Sequence, residues 1–491
     1  MNYLGLDIGT TGVKAVVFDQ TGKQLGAGLA EYTLETPKPD IVELNPEVYW
    51  QASCAAIKST FTEAGISAET VCGIAVTGQV ETLIMVDASG KPVRKAIVWL
   101  DNRAKKEAAE LEKEFGTEKL FRLSGQTEML PCWPAPKILH FRTHEPNAFQ
   151  RTAKYLMVED YIVWHLTGKY RTCRGLLPST LYYDIRTQEY DSAMLTKLEI
   201  SKEQLPKLGD VGAVLGKCQS DNGILSPGTL VVGAPLDHVC GNLGCGCAGG
   251  KGLVSETTGC TLALCAAFPK LIYDKERRIS TYLGAERGSF VLLPWAPTAG
   301  MLLKHFRDEF TSGIDYPELN TAAAAVPPGS EGLVLLPHCA GAVSPICNPH
   351  ARGVAYGITL AHKQGHWARA IMESVAYLLR DNIETLRSFG LDIRELRALG
   401  GAAKSPLWLQ IKADVLNLPV TVTACSEATA FGAAMLAAVA AGEYPDLETA
   451  TKHMVKTARK VLPGKNANAY SAYYSSYQKL NSLLLPTFKG S

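Results

Sequence analysis

Two stretches of this chain share one pattern, and that pattern does most to limit what the chain can fold into. The first runs apolar from Tyr3 into Asp7, turns at Gly9-Thr10-Thr11-Gly12, and resumes an extended pattern from Val13 to Phe18 before a second turn at Gln20-Thr21-Gly22-Lys23. Such a sequence predicts a β-hairpin with a polar, glycine-bearing tip. The second, roughly half a chain later, repeats extended run, Thr-Thr-Gly and extended run across residues 252–264. At the first tip, Gly9 and Gly12 would permit backbone angles that other residues resist, and let a ligand reach the amides of Thr10 and Thr11. Phosphate suits such a cradle. Asp7, emerging beside it, is the hard carboxylate that suits magnesium on phosphate oxygens. Two hairpins of this kind, facing each other across a cleft, would hold a triphosphate from both sides.

The chain has 491 residues, more than a usual single core, so two or more domains are expected. Lys plus Arg number 49 against 48 for Asp plus Glu, which leaves no basic field for nucleic acid or an anionic membrane and predicts a small, polar partner. The longest apolar run, residues 428–441, is alanine-rich, contains Thr429 and Gly432, and falls short of a spanning helix. Asp7 interrupts any leader-like stretch at once, and the reading is a soluble cytoplasmic protein. Among the 13 cysteines there is no Cys-x-x-Cys. The densest group, Cys240, Cys245 and Cys247, has no histidine or carboxylate within it, so core or helix packing is expected rather than zinc.

Asn45 and Pro46 open an amphipathic helix. Residues 71–77 read as a buried strand ending in Gly78-Gln79-Val80-Glu81, residues 82–86 as another, and the run 96–99 leads to Asp101-Asn102-Arg103. Polar clusters therefore sit at strand ends, where open α/β sheets bind ligands. Amide, carboxylate and guanidinium groups together suit a polyhydroxylated ligand, since each hydroxyl both donates and accepts. A surface loop with a salt bridge is the alternative. Residues 105–120 read as one charged helix, residues 131–136 as a break, and residues 155–166 as a helix stopped at Gly168. Trp133, His140 and His165 read first as core or helix-face residues.

In residues 230–246 a strand ends at Gly233, Pro235 stiffens the turn and Asp237 begins a helix. The free amides there favour its charged form, so it could accept a proton; on its own, the segment reads first as an N-cap. Gly244-Cys-Gly246-Cys-Ala-Gly249 satisfies the dinucleotide pattern Gly-x-Gly-x-x-Gly, but the strand ends before Asp237 rather than at these glycines, which predicts close helix packing instead. Later, a strand runs into Gly400-Gly401, after which Ser405 caps and Pro406 starts a helix with Trp408, Ile411, Val415 and Leu416 on its apolar face. Paired glycines before a helix let a nucleotide lie against bare backbone. No Gly-x-x-x-x-Gly-Lys-Ser/Thr loop is present.

In their order these segments resemble the FGGY carbohydrate kinases, within the sugar kinase, hexokinase and actin superfamily. The first hairpin matches Asp-x-Gly-Thr-Thr-x-x-Lys, completed by Lys14. The Gln79 turn precedes a strand and a Trp-x-x-x-Arg-like segment from Trp99 to Arg103. Residues 137–146 look like a first family signature with His140 where tryptophan is common, and residues 353–373 approximate a second, departing at Ala355 and Trp367. Gly-Gly-Ala followed by Ser-x-x-Trp-x-Gln, here residues 400–410, is shared as well. Thr258-Gly259-Cys260-Thr261 stands where Ser-Gly-Thr-Ser is usual, so the hydroxyls of Thr258 and Thr261 and the amides would have to do more. Gly341-Ala342-Val343 stands where many relatives carry Gly-Glu-Arg.

The resemblance implies an α/β chain of two actin/ribonuclease-H-like domains with an interdomain cleft: residues 1–250 holding the sugar site and base, residues 251–491 the nucleotide site. It implies ATP and Mg2+, with Asp7 at the metal, and Gly9, Thr10, Thr11, Lys14, Thr258, Gly259, Gly300, Gly400, Gly401 and Ala402 at the nucleotide. Gln79, Val80, Glu81, Trp99, Asp101, Arg103, Asp237 and His238 fall at the sugar, with Asp237 as general base. The reaction implied is transfer of the γ-phosphate of ATP to a hydroxyl of a small ketose or linear polyol, a pentulose such as xylulose being favoured. Gln79-Val80-Glu81 matches neither the Gln-Met-His usual in xylulokinases nor the Gln-Arg-Glu of glycerol kinases, and Val80 removes a polar contact. A glycerol or other polyol kinase is the alternative within the family; a non-enzymatic actin- or chaperone-type ATP-binding protein is the alternative outside it. A homodimer is compatible with all of these.

Overall fold

The structure, a computed structural model, describes residues 1–220 and 223–489. The chain divides into two compact units: Met1–Gly249 with Ala267–Val291 and Glu427–Val455, and Gly250–Ala266 with Leu292–Ser426 and Lys456–Ser491. Among the described residues no helix is long and apolar enough to cross a membrane.

The first unit begins with β1 (Asn2–Ile8), β2 (Gly12–Asp19) and β3 (Gln24–Glu31), an antiparallel meander with Asp7 opposite Lys14. Helix α1 (Pro46–Ala64), capped by the Asn45 side chain and ended by left-handed Gly65, lies on β2 and β3. It supplies the crossover that a parallel neighbour needs: β4 (Val71–Gly78) pairs parallel to β1. Then come β5 (Leu83–Val86), α2 (Lys105–Phe115), α3 (Thr117–Ser124), α4 (Pro134–His144), β6 (Lys154–Met157) and α5 (Val158–Thr167). Strands β7 (Val214–Lys217) and β8 (Leu230–Gly233) complete a six-stranded sheet ordered β7-β8-β4-β1-β2-β3, and α6 (Asp237–Gly244) follows.

The second unit repeats this plan. Strands β9 (Leu253–Thr258) and β10 (Leu262–Phe268) form the second hairpin. After α7 (Gly300–Phe310) and the long α8 (Gln364–Ser388), β11 (Glu395–Leu399) pairs parallel to β9. Helix α9 (Pro406–Leu416) leads to β12 (Val420–Thr423), parallel to β11. The chain then returns to the first unit with α10 (Ala428–Ala440), and finishes in the second with β13 (Thr457–Val461), antiparallel to β12, and α11 (Ala467–Leu484). The order β10-β9-β11-β12-β13 copies β2-β1-β4-β8-β7, strand direction included.

The run 428–441 is thus a helix buried nearly all round, as its unbroken apolar character requires. It lies against β1 and β4 in the first unit, and three glycines let it approach. A Cβ on Gly5 would stand 1.8 Å from the Ala430 carbonyl oxygen, one on Gly432 1.9 Å from that of Cys240, and one on Gly244 1.9 Å from that of Ala428. Close helix packing therefore explains Gly244, while Gly246 and Gly249 adopt left-handed turns at φ 89° and 74°. The chain first passes between the units at residues 249–250, and residues 267–291 and 427–455 pack with the first unit.

Three local expectations need correction. Residues 105–120 form two helices, because Gly116 at φ 81° turns the chain out of α2. Residues 155–157 are strand, drawn from the apolar run by pairing with β5, so the helix starts at Val158. The proline-rich break ends at Pro134, which occupies the first turn of α4.

Candidate active site

The tip of the first hairpin is closed by the Gly9 amide on the Gly12 carbonyl at 2.9 Å. Neither glycine takes a left-handed angle, contrary to the expectation. Gly12 is there for space, since a Cβ would come within 2.9 Å of the Ala30 carbonyl oxygen. The Tyr32 hydroxyl donates to the Gly9 carbonyl, and Thr10 Oγ1 accepts from the Trp99 indole at 3.0 Å. Thr11 is exposed. Lys14, across from Asp7, pairs with Glu427 at 2.8 Å.

Asp7 is pushed up to about 7, first by burial and then by the neighbouring Asp237 carboxylate, against the pull of Lys14. Glu81 is likewise pushed up to about 7 by burial, with Lys137 pulling it down and Asp237 raising it. Glu159, buried in the first turn of α5 with both oxygens lacking a hydrogen-bond partner among the described residues, is held well above the carboxylate range by burial and by Asp160, Asp237 and Asp7. Crowded carboxylates disfavour one another's charge. A set of hard oxygens short of positive charge fits Mg2+.

Asp237 is the first residue of α6, not its N-cap, and Oδ1 accepts from the His238 amide at 2.6 Å. Both residues are half-buried. The turn before them is tied to the sheet: Thr77 at the end of β4 donates to the Pro235 carbonyl at 2.6 Å. At the same strand end, Gln79 is buried, its Nε2 reaching the Tyr49 hydroxyl at 3.4 Å while Oε1 has no partner among the described residues. Val80 is half-buried, and Glu81 sits at φ 74°, a strained backbone for a carboxylate residue. That geometry is held by Lys137, fully buried on α4, whose Nζ donates to the carbonyls of Glu81 (2.8 Å), Val98 (2.9 Å) and Ile97 (3.3 Å).

Asp101 and Arg103 are at the strand end as expected, but they serve the protein. Asp101 is fully buried and both oxygens accept from protein donors, Oδ2 from the Val42 amide at 2.7 Å and both from Arg103. Arg103 also pairs with Glu43 at 2.6 Å. The polar loop reading and the ligand reading thus divide: Asp101 and Arg103 brace the loop, while Glu81 lies within the field of Asp237 and the indole of half-buried Trp99 is engaged by Thr10.

In the second unit all six expected nucleotide residues gather at one hairpin tip. Gly300 opens α7 so close to the tip that a Cβ would stand 2.4 Å from the Gly259 carbonyl oxygen, and the amides of Ala299 and Met301 donate to the Cys260 carbonyl. Gly400, at φ 78°, lies against the Thr258 carbonyl, Gly401 faces open space, and Ala402 is buried beneath them. Thr258 departs from expectation. Its hydroxyl donates its one proton to Glu256 at 2.6 Å and accepts from Lys412 at 2.9 Å, so it offers none to phosphate. Glu256 and Lys412 form an ion pair with both side chains wholly buried. Thr261 and Cys260 are exposed at the tip.

The profile of the N-terminal domain of the FGGY family of carbohydrate kinases matches residues 2–244, and that of the C-terminal domain matches residues 281–441. The chain belongs to the FGGY family of carbohydrate kinases. It is 28% identical over 486 residues to a xylulose kinase of Bacillus subtilis (strain 168), covering 97% of this chain and 96% of that one. It is 30% identical over 459 residues to a glycerol kinase of Trichlorobacter lovleyi, covering 90% of each. The crystal structure of xylulose kinase from Rhodospirillum rubrum superposes with a TM-score of 0.91 at 27% identity, over 99% of this chain and 100% of that one. As a family member the chain is a sugar phosphotransferase that uses ATP, which sets aside the non-enzymatic alternative.

Sequence reasoning missed two residues of this site. Lys137 carried a signal, a lysine among Pro134, Ile138 and Leu139 on a helix otherwise apolar on that side. Glu159 carried none beyond two adjacent acids opening an apolar run, the ordinary signature of a helix start. The remaining flagged aromatic groups are core, as expected: Trp133 is buried and His165 stacks on Trp50 with centroids 4.5 Å apart.

Proposed function

We propose that this kinase phosphorylates a small ketose or linear polyol, a pentulose such as xylulose first, with Asp237 as the base. The observation that carries the reading is the setting of Asp237: braced by the His238 amide and, through its turn, by Thr77, within the field of Glu81 and Asp7. The unpartnered Gln79 Oε1 and Glu81 supply acceptors for neighbouring hydroxyls. Matches to xylulose kinases along almost the whole chain support the pentulose; the glycerol kinase match keeps a shorter polyol as the second reading.

Asp237 accepts the proton of the acceptor hydroxyl as that oxygen bonds to the γ-phosphorus and the bond to the ADP oxygen breaks. Asp7 would hold Mg2+, which when bound offsets the charge on the phosphate oxygens. Amides at Thr10 and Thr11, Lys14 and the Gly259 tip face phosphate in this reading, and Gly300 with Gly400, Gly401 and Ala402 the rest of the nucleotide. Asp101 and Arg103 brace their own loop through Val42 and Glu43, and Thr258 is tied to Glu256 and Lys412.

A positioned base contributes ~10²–10⁴ in rate, so Asp237→Asn should lower kcat by about that much with both dissociation constants near wild type. Turnover close to wild type would remove Asp237 from the mechanism. ADP release measured across ketoses and linear polyols from glycerol to heptuloses tests the substrate, and activity confined to aldohexoses or non-sugars would refute it.

A further inference from the structure

Helices α2 and α4 bring together three metal-ligating side chains that the kinase reaction does not use. His140 and His144 stand one turn apart on α4, their rings 4.2 Å apart between centroids, and Glu107 reaches them from α2. His140 Nδ1 is 3.0 Å from Glu107 Oε1, and His144 Nε2 is 3.5 Å from the same oxygen. In a tetrahedral site with metal–ligand bonds of about 2.0–2.1 Å, donor atoms stand about 3.3 Å apart, close to both His–Glu separations, and all three donor atoms lie within 4.8 Å of one another. Glu107 is 7% exposed, and its other oxygen, Oε2, is buried with no hydrogen-bond partner among the described residues. A carboxylate left half-satisfied in the interior is costly, and an ion bound through both oxygens would remove that cost. His144 is exposed enough, at 56% of its side chain, to admit an ion and leave room for a water ligand.

We propose that Glu107, His140 and His144 form a site for a borderline divalent transition metal, Zn2+ or Co2+, that clamps α2 to α4. Two imidazoles and a carboxylate select such ions over Mg2+, which prefers all-oxygen ligands like those around Asp7. Because α4 also carries Lys137, the clamp bears on the helix that holds the Glu81 carbonyl.

The test uses full-length protein freed of metal with a chelator. Zn2+ titrated by calorimetry should bind at one equivalent and raise the melting temperature, and Co2+ should develop the visible bands of a four- or five-coordinate nitrogen and oxygen site. His144→Ala, on an exposed side chain, should melt as wild type in chelator. It should weaken Zn2+ by more than the ~10–100-fold that loss of an outer-sphere partner costs, and Glu107→Gln should do the same. The proposal is overturned by no saturable binding, by binding of unchanged strength in both variants, or by the intense near-ultraviolet thiolate band that would assign Co2+ to exposed Cys260, Cys339 or Cys347.

Discussion

Lys137 enters α4 on its buried side, and its ammonium ends among three carbonyls from two strand ends. Lys137→Met should leave those acceptors unpaired at a cost of roughly 1–3 kcal/mol each at most. With Glu81 released from its left-handed backbone, KM for the sugar should rise while KM for ATP stays near wild type; equal changes in both would argue against a local role. Asp160 makes a cleaner test of buried charge. Its Oδ2 caps α5 through the Met157 amide at 2.8 Å, and burial pushes it up to about 7. A carboxyl raised above its unfolded value of about 3.8 keeps its proton in the folded state, so stability is lost as pH rises from about 4 to 7. Asp160→Asn keeps the cap and removes that loss. Its melting temperature relative to wild type should therefore climb across this window and level off above it; a constant offset would show that Asp160 does not titrate as argued.

At the scale of elements, the two hairpins show how one motif is completed differently. Each tip is closed by its own glycine amide, Gly9 on Gly12 and Gly259 on Thr261; Tyr32 and Trp99 then brace the first, and the start of α7 braces the second. Gly300→Ala would push a methyl to within 2.4 Å of the Gly259 carbonyl oxygen, so the tip must move. A displacement near 1 Å costs up to ~10²-fold in rate, and kcat/KM for ATP should fall toward that limit with sugar affinity kept. The α6–α10 contact offers the matching stability experiment. Gly244→Ala meets the Ala428 carbonyl, backbone that cannot swing aside, so a loss of at least ~1–3 kcal/mol is expected in thermal or urea unfolding. A silent substitution would mean the helices separate freely.

Over the whole molecule, the repeated strand order places each Thr-Thr-Gly hairpin at the same point of its own sheet. In the second unit that hairpin rests on the buried Glu256–Lys412 pair. Lys412→Met strands a buried carboxylate and should cost ~3–5 kcal/mol, whereas replacing both partners by apolar residues should cost much less; the double variant measured beside the single one decides whether the pair or the lysine alone matters. Much of this plan was legible in the chain. Glycine turns, helix caps at Asn45 and Ser405, Pro46 and Pro406 in first turns, and alternating apolar runs act within a few residues, so local chemistry alone determined the hairpins, the start of α6 at Asp237 and the Gly400-Gly401 turn. Partner choice was not legible. Thr258 was read as a phosphate ligand because nothing nearby reveals Lys412, 154 residues away; Asp101 was read as a sugar ligand because Val42 and Glu43 are remote in sequence; and α10 leaves its neighbours for the first unit. Which carboxylates crowd together and which hydroxyls are already engaged depends on contacts across hundreds of residues, and only the folded chain decides those.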